Sequence, residues 1–259
     1  DYKDISLANL VYAYLANKYS SYNIVESKIR KIFKIKNKVF FNDCNNLFLF
    51  AINKNGKIIK NEEMIVNYNN LVKLKDIYFC KKYLSEREIN KINLYKSIKL
   101  KTSYLDKKYS ILPQIDKRTK KEIKNTDFMI FAPGTQFSSL FPTYLTKNFV
   151  SQISKKTKKI LILNLQNDLD TNGYKISDYL KKINYYLSSK KNHIKYYDFF
   201  NYILINKSKN KNSIKIDISI PKNSKCKFII KNFENNPNNN LHNIKKTKNI
   251  ILKIIDNEI

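Results

Sequence analysis

Glycine is almost missing from this 259-residue chain, which holds only Gly56, Gly134 and Gly173. Tryptophan is absent, and arginine is reduced to Arg30, Arg87 and Arg118, so 47 of the 50 basic residues are lysine. The net charge of +29 therefore comes without the planar guanidinium groups that read phosphate and base edges bidentately. Lysine, asparagine, isoleucine and tyrosine are in excess, and these are the residues of A/T-rich codons. The basicity is read as composition, and nucleic acid is not the expected partner. Three scattered cysteines (Cys44, Cys80, Cys226) and two histidines argue against a structural zinc site. Reduced, buried thiols in a cytoplasmic protein are the expectation. No apolar run approaches the ~20 residues of a membrane helix, and no secretory leader is visible. Neither a Walker loop, a GxGxxG, a Ser-His-Asp nor a Cys-His arrangement occurs. Nothing beside His193 makes it a catalytic base.

What is present is a mixed pattern. Residues 5–19 place Leu7, Leu10, Val11, Tyr14 and Leu15 on one helical face, and Ile24, Ile29, Ile32 and Phe33 repeat the spacing. Strands are expected at 38–41, 46–52, 57–60 and 75–80, with the Asn-Gly pair of the 53–56 turn marking a hairpin. A lysine-rich connection, helical or irregular, follows to about Ser110. The second half predicts a helix over 113–125, a strand over 127–132 and a helix over 138–155. A strand over 159–164 and a helix over 176–189 come next, then strands at 202–206 and 225–230. A last helix covers 244–256. Short apolar strands alternating with helices predict an α/β, Rossmann-like three-layer fold with a mostly parallel sheet and an inserted antiparallel hairpin. The expected organisation is one domain over 1–259, incomplete at its amino terminus. It would carry a hairpin-containing insertion at 36–80 and its core strand–helix units at 127–206. The lysine runs and the asparagine stretch 235–240 read as solvated faces and loops.

Two of the three glycines fall just after neighbouring second-half strands. In "DFMIFAPGTQFSS" (127–139) a strand runs into a Pro-Gly turn and then into small hydroxyl residues. A glycine there permits positive φ or lets a ligand approach the backbone, and a helix start favours an anion. Thr135, Ser138 and Ser139 can donate to phosphate oxygens; the plainer alternative is an ordinary turn with Ser138 as helix cap. The next strand ends at Asn164, and its loop (165–174) holds Gly173. Adjacent parallel strands would bring both loops to one edge of the sheet, where α/β proteins bind ligands. A phosphate-bearing ligand is the favoured reading.

These stretches resemble the 2-phospho-L-lactate transferase / gluconeogenesis factor (CofD-like) family. "APGTQFSSLFPTYL" is similar to its Gly-Pro-Gly-Ser element, with Ala132 for the first glycine and Thr135 for the serine. "NLQNDLDTNGYKISD" (164–178) resembles the asparagine-ended strand and Glu-Thr-Asp-Gly-Tyr element, keeping Asn164, Thr171, Gly173, Tyr174 and Asp178, with Asp170 for glutamate and Asn172 for aspartate. "SLANLVYAYL" (6–15) resembles the family's Ser-Leu-Gly-Asn helix start and keeps Asn9. The family's Gly-Gly-Thr-Gly and Asp-Asp-Gly-Gly elements do not occur in this sequence.

The resemblance implies a nucleotide diphosphate or nucleotide-sugar ligand. Gly134, Thr135, Ser138 and Ser139 would form one wall of the phosphate pocket. Asn164 with Thr171, Gly173 and Tyr174 would form the facing wall, and Asn9 would reach in from the first helix. A phospho-lactyl-type transfer with Mg²⁺ is one implied activity; a non-catalytic nucleotide-sugar-binding regulator is another. A basic module for nucleic acid or an acidic partner is the alternative from a different class. No redox cofactor, catalytic residue or metal ligand is assigned, and a homodimer is expected. Asp168, Asp170 and Asp178 lie nearest the loops and read first as helix caps and solubilising charge.

Overall fold

The computed structural model describes residues 6–19, 21–40, 47–109, 111–219, 224–236 and 241–259. Ser6 opens α1 (Leu7–Lys18) by accepting the Asn9 N–H at 3.2 Å, and α2 (Tyr22–Ile32) packs against it. The helical spacing is real, but the apolar face is mostly open. Leu15 and Val25 are buried, whereas Leu7, Leu10, Tyr14, Ile24 and Ile32 are exposed. The strand expected at 38–41 is not formed by its described residues 38–40; Phe41 lies outside the described residues. The Val39 N–H donates instead to the buried Glu26 carboxylate at 3.2 Å, which leaves it no ladder to join.

The expected hairpin is β1 (Phe48–Asn53) and β2 (Ile58–Ile59). Gly56 adopts φ +82° in the turn, and Asn53 Oδ1 accepts the Asn55 and Lys57 N–H groups at 3.0 and 2.9 Å. After the short α3 (Glu62–Val66), β3 (Leu74–Cys80) pairs antiparallel with the other side of β1. The result is a separate three-stranded sheet, buried on both faces. Phe50, Ile52, Tyr78 and Cys80 pack beneath α4 (Glu86–Asn93) and α5 (Ile98–Lys108); Leu49, Ala51, Ile77 and Phe79 face the central core. The loosely patterned lysine-rich stretch is thus two helices, each capped by a serine, Ser85 and Ser97.

α6 (Lys117–Lys124) starts later than expected because Asp116 caps it, accepting from Arg118 and Thr119. It leads into the second sheet, whose strands are β4 (Phe128–Phe131), β5 (Lys158–Ile162), β6 (Tyr202–Asn206) and β7 (Lys227–Lys231). They are parallel throughout and lie in that spatial order. The single helix expected over 138–155 is broken into three. A π-helical turn (Gln136–Leu140) runs into α7 (Phe141–Tyr144), and a left-handed Asn148 (φ +64°) then precedes α8 (Phe149–Gln152).

Between the sheets lie α7 and α9 (Ile176–Leu187), with Phe141 stacked on Tyr186 at 4.4 Å between ring centroids. After α10 (Tyr196–Phe199), α11 (Ile244–Ile255) covers the far face of the parallel sheet, laying Ile250 and Ile254 on Ile160, Ile162 and Leu204. The fold is the expected α/β class, with the hairpin enlarged into its own sheet. Cys80 and Cys226 are free and buried, while Cys44 lies outside the described residues. Among the described residues no helix is long and apolar enough to cross a membrane.

Candidate functional site

β4 and β5 are parallel neighbours, so the loops that follow them emerge at the same carboxyl edge. Asn164, two residues past β5, ties them together. It accepts the Gly134 N–H on Oδ1 at 3.1 Å and donates from Nδ2 to Gly134 O at 3.0 Å and to Asp168 Oδ2 at 2.8 Å. Gln136 Nε2 joins the same knot, donating to Gly134 O (2.9 Å) and Asn164 Oδ1 (3.3 Å). A second tie crosses between the loops: the Phe137 N–H, inside the π-helical turn, donates to Asp170 Oδ2 at 2.9 Å. The π-helical turn is therefore held from outside by a buried carboxylate, and such turns gather at functional sites.

Three buried oxygens of this knot have no hydrogen-bond partner among the described residues: Gln136 Oε1, Ser138 Oγ and Asp170 Oδ1. Orphaned polar atoms are costly in a native interior, and here they converge on the loops singled out by glycine. Burial drives the Asp170 carboxyl up to about 6, reinforced by the Asp168 charge and opposed by the Phe137 N–H. Burial also raises the Asp168 carboxyl, against the donation from Asn164. Asp170 is thus neither a solubilising charge nor a solvated cap. Asp178 does serve the helix start, accepting the Lys175 N–H at 3.2 Å, and it also pairs with Lys73 at 3.0 Å.

The folded-state value for Asp170 lies above that of an unfolded aspartate, so its proton stabilises the fold. That contribution is complete below pH ~4 and is lost as pH rises through about 6. Asp170→Asn should therefore gain stability relative to the parent between pH 4 and pH 7, by about 2–3 kcal/mol over the interval. Denaturant unfolding of both proteins at several pH values reads this directly; a parallel pH profile would refute it.

The remaining expected residues fall as follows. Gly134 is not left-handed, and a Cβ built on it would have the Leu140 side chain as its nearest neighbour, at 3.8 Å. Of the two reasons offered for a glycine there, close approach to the backbone is the one left standing. Gly173 does adopt φ +70°, a region glycine enters without strain. Ser138 sits within the π-helical turn and not at its cap; Thr135 occupies that position, and its hydroxyl shares a hydrogen bond with Ser139 Oγ at 2.9 Å. Thr171 is buried, its hydroxyl held by the Tyr179 O–H (2.8 Å) and the Asp168 N–H (3.1 Å), so it braces the loop rather than facing a ligand. Tyr174 is buried against Lys73, whose Nζ lies 4.7 Å from the ring centroid. Asn9 is not gathered into the knot by any described hydrogen bond; it stands exposed in the first turn of α1.

A cavity of about 500 Å³ opens between the 165–175 loop and the loop after β6; Tyr174 lines it, but Gly134, Gln136, Ser138, Asn164, Asp168 and Asp170 do not. Asn167, Asn172, Gly173, Lys175, Lys211 and Lys215 line it, and no carboxylate does. Its chemistry suits an anion with polar substituents. Sequence reasoning missed Gln136 and the pairing role of Asp170. It also missed a second asparagine clasp one strand over, where Asn206 accepts the Phe233 N–H (2.9 Å) and donates to the buried Glu234 (3.0 Å). The signal was available: two parallel strands each end in, or just before, an asparagine.

A family model described as 2-phospho-L-lactate transferase CofD matches residues 1–234. The chain belongs to that family. A Thermotoga maritima protein provisionally named a gluconeogenesis factor is 33% identical over 85 residues, which make up 32% of this chain and 26% of that protein. The match thus spans about a quarter of that relative's length. Two crystal structures of one Bacillus halodurans protein, a UPF0052 family member, align with TM-scores of 0.70 and 0.68 at 19% and 18% identity. Each alignment covers 95% of this chain and 72% of the other, and establishes the likeness of fold.

Proposed function

We propose that this chain binds a nucleotide diphosphate or nucleotide sugar at the carboxyl edge of β4 and β5. The observation that carries the reading is the set of three unpartnered buried oxygens on Gln136, Ser138 and Asp170, in the loops that follow β4 and β5; a carboxylate-free basic cavity opens from the farther part of the second of those loops. The phosphates lie along the Gly134 backbone, where a side chain would intrude, and take the Ser138 hydroxyl as a donor. Lys175, Lys211 and Lys215 offset their charge. Asp168, Asp170 and Gln136 Oε1 would supply hard oxygen donors of the kind Mg²⁺ uses when substrate phosphates complete its shell. Bound there, Mg²⁺ would supply charge neutralisation on the phosphates.

The family match supports phosphodiester transfer of the phospho-lactyl type. The gluconeogenesis-factor name of the Thermotoga maritima relative prompts a second reading, which we propose as a non-catalytic regulator that binds a nucleotide sugar. Cytoplasmic residence, self-association as a homodimer and the absence of a redox cofactor belong to the same proposal. A thermal-shift screen with GDP, GTP and UDP-N-acetylglucosamine, each with and without Mg²⁺, tests it. A ligand specific for the folded state raises the midpoint according to RT ln(1 + [L]/Kd). A shift with one nucleotide class, largely independent of salt, supports the pocket. Binding only to nucleic acid, with steep salt dependence, would replace it with the basic-module reading.

A further inference from the structure

The molecule holds a second, more basic cavity, which shares Tyr174 with the first. About 570 Å³ in volume, it lies between the antiparallel sheet and α9. Six lysines line it: Lys54, Lys73, Lys75, Lys181, Lys182 and Lys195. Its one carboxylate, Asp178, is already engaged by Lys73 and by the Lys175 N–H. Most of the lysine excess spreads over solvated faces, Lys159 and Lys190 being exceptions, and here another lysine turns inward. Lys182 donates to Lys75 O, and its ammonium sits 5.6, 5.3 and 5.6 Å from the ring centroids of Phe137, Tyr185 and Tyr186. A second observation is independent of charge. Asn184, also on the lining, has a buried Oδ1 with no partner among the described residues.

We propose that this cavity is a second binding site, for a phosphorylated small molecule that also carries hydroxyl groups, of the sugar-phosphate class. The volume suits a small ligand. The phosphate meets Lys182 and the lysines around it, which have no free carboxylate to balance them. A ligand hydroxyl donates to Asn184 Oδ1, which is otherwise unpartnered among the described residues. The state of Lys182 agrees with an unbalanced cavity. Burial brings its ammonium down to about 8, the charges of Lys75, Lys54 and Lys190 push the same way, and Asp76 opposes them.

The test is calorimetric titration of the whole chain with glucose 6-phosphate and, separately, inorganic phosphate, at moderate salt. Saturable binding of glucose 6-phosphate, tighter than that of inorganic phosphate, is expected. Lys182→Gln should weaken it about tenfold or more, the scale of one lost charge-assisted hydrogen bond. Asn184→Ala should erase the advantage of the sugar phosphate, and Lys245→Gln, on exposed α11, should change nothing. Should Lys182→Gln fail to fold by circular dichroism, the exposed-rim double variant K54Q/K195Q carries the same expectation. Equal affinity in parent and a folded Lys182→Gln, or equal losses in Lys245→Gln, would overturn the proposal. So would binding that survives Lys182→Gln but disappears in Gly134→Ala, because the phosphate would then sit at the β4–β5 loops. The outcome is independent of the nucleotide screen.

Discussion

Asn164→Ala is expected to abolish nucleotide binding and to lower stability by about 2–3 kcal/mol, the scale of leaving several polar groups unpartnered. One side chain closes four hydrogen bonds, accepting from the Gly134 N–H and Gln136 Nε2 and donating to Gly134 O and Asp168 Oδ2. Removing it unties the Gly134 turn from the 165–174 loop, leaving the Phe137–Asp170 hydrogen bond to join the two loops, and it leaves Asp168 without the donor that offsets its burial. Asn164→Asp separates geometry from volume. It keeps an acceptor for the Gly134 N–H, cannot donate to Gly134 O, and sets a second negative charge beside Asp168. It should therefore bind as poorly as the alanine variant. Denaturant unfolding and calorimetry of the two variants read both effects; a loss below ~0.5 kcal/mol, the usual range for an uninvolved surface position, would show that the knot is not a unit.

The largest effect on stability is expected from Asp76→Ala, at about 3–5 kcal/mol, as when one partner of a buried ion pair is removed. Asp76 lies buried in β3 and joins the antiparallel sheet to α9. It accepts the Tyr185 O–H at 2.8 Å, the Tyr186 O–H at 3.2 Å and the Ile77 N–H at 2.8 Å, and pairs with Lys190 at 3.1 Å. Burial and the Asp76 charge together hold the Tyr185 and Tyr186 hydroxyls well above their usual range, so both stay protonated donors. Without Asp76, the Tyr78, Tyr185 and Tyr186 hydroxyls lose an acceptor, and Lys190 keeps Ile77 O at 2.8 Å and, as its carboxylate, the more exposed Asp106 at 3.8 Å. Asp76→Asn keeps the volume and one acceptor oxygen and should fall between. Equal stability of the alanine variant and the parent in denaturant unfolding would contradict this.

The parallel half of the fold was legible because its strands are short apolar runs flanked by polar turns; 202–206 reads the same in sequence and structure. The site was legible for a compositional reason. In a chain with three glycines, two of them just past neighbouring strands point to the ligand edge. The break in 138–155 was not legible. Apolar spacing there fits one helix, but the π-helical turn answers to a carboxylate 33 residues away, and the left-handed Asn148 leaves no mark in hydrophobic period. Asp170 was misjudged for the same reason: its role is set by a backbone N–H from another loop. The helices α4 and α5 were obscured because lysine and asparagine fill their outer faces and few residues, such as Ile89, Ile92 and Leu105, are buried. Asn9 was placed by family likeness alone, which carries no distance.

The central claim is that the Gly134 backbone receives a phosphate. Gly134→Ala is suited to test it because the nearest neighbour of the added methyl is the Leu140 side chain at ordinary contact distance and the backbone angle is unstrained. The measurement is the calorimetric affinity of parent and Gly134→Ala for the nucleotide identified by the thermal-shift screen, with unfolding midpoints recorded alongside. The account predicts an unchanged midpoint without ligand and an affinity lowered about a hundredfold or more, an effect near 3 kcal/mol. Equal affinity in the two proteins would contradict it and move the nucleotide away from the β4–β5 edge.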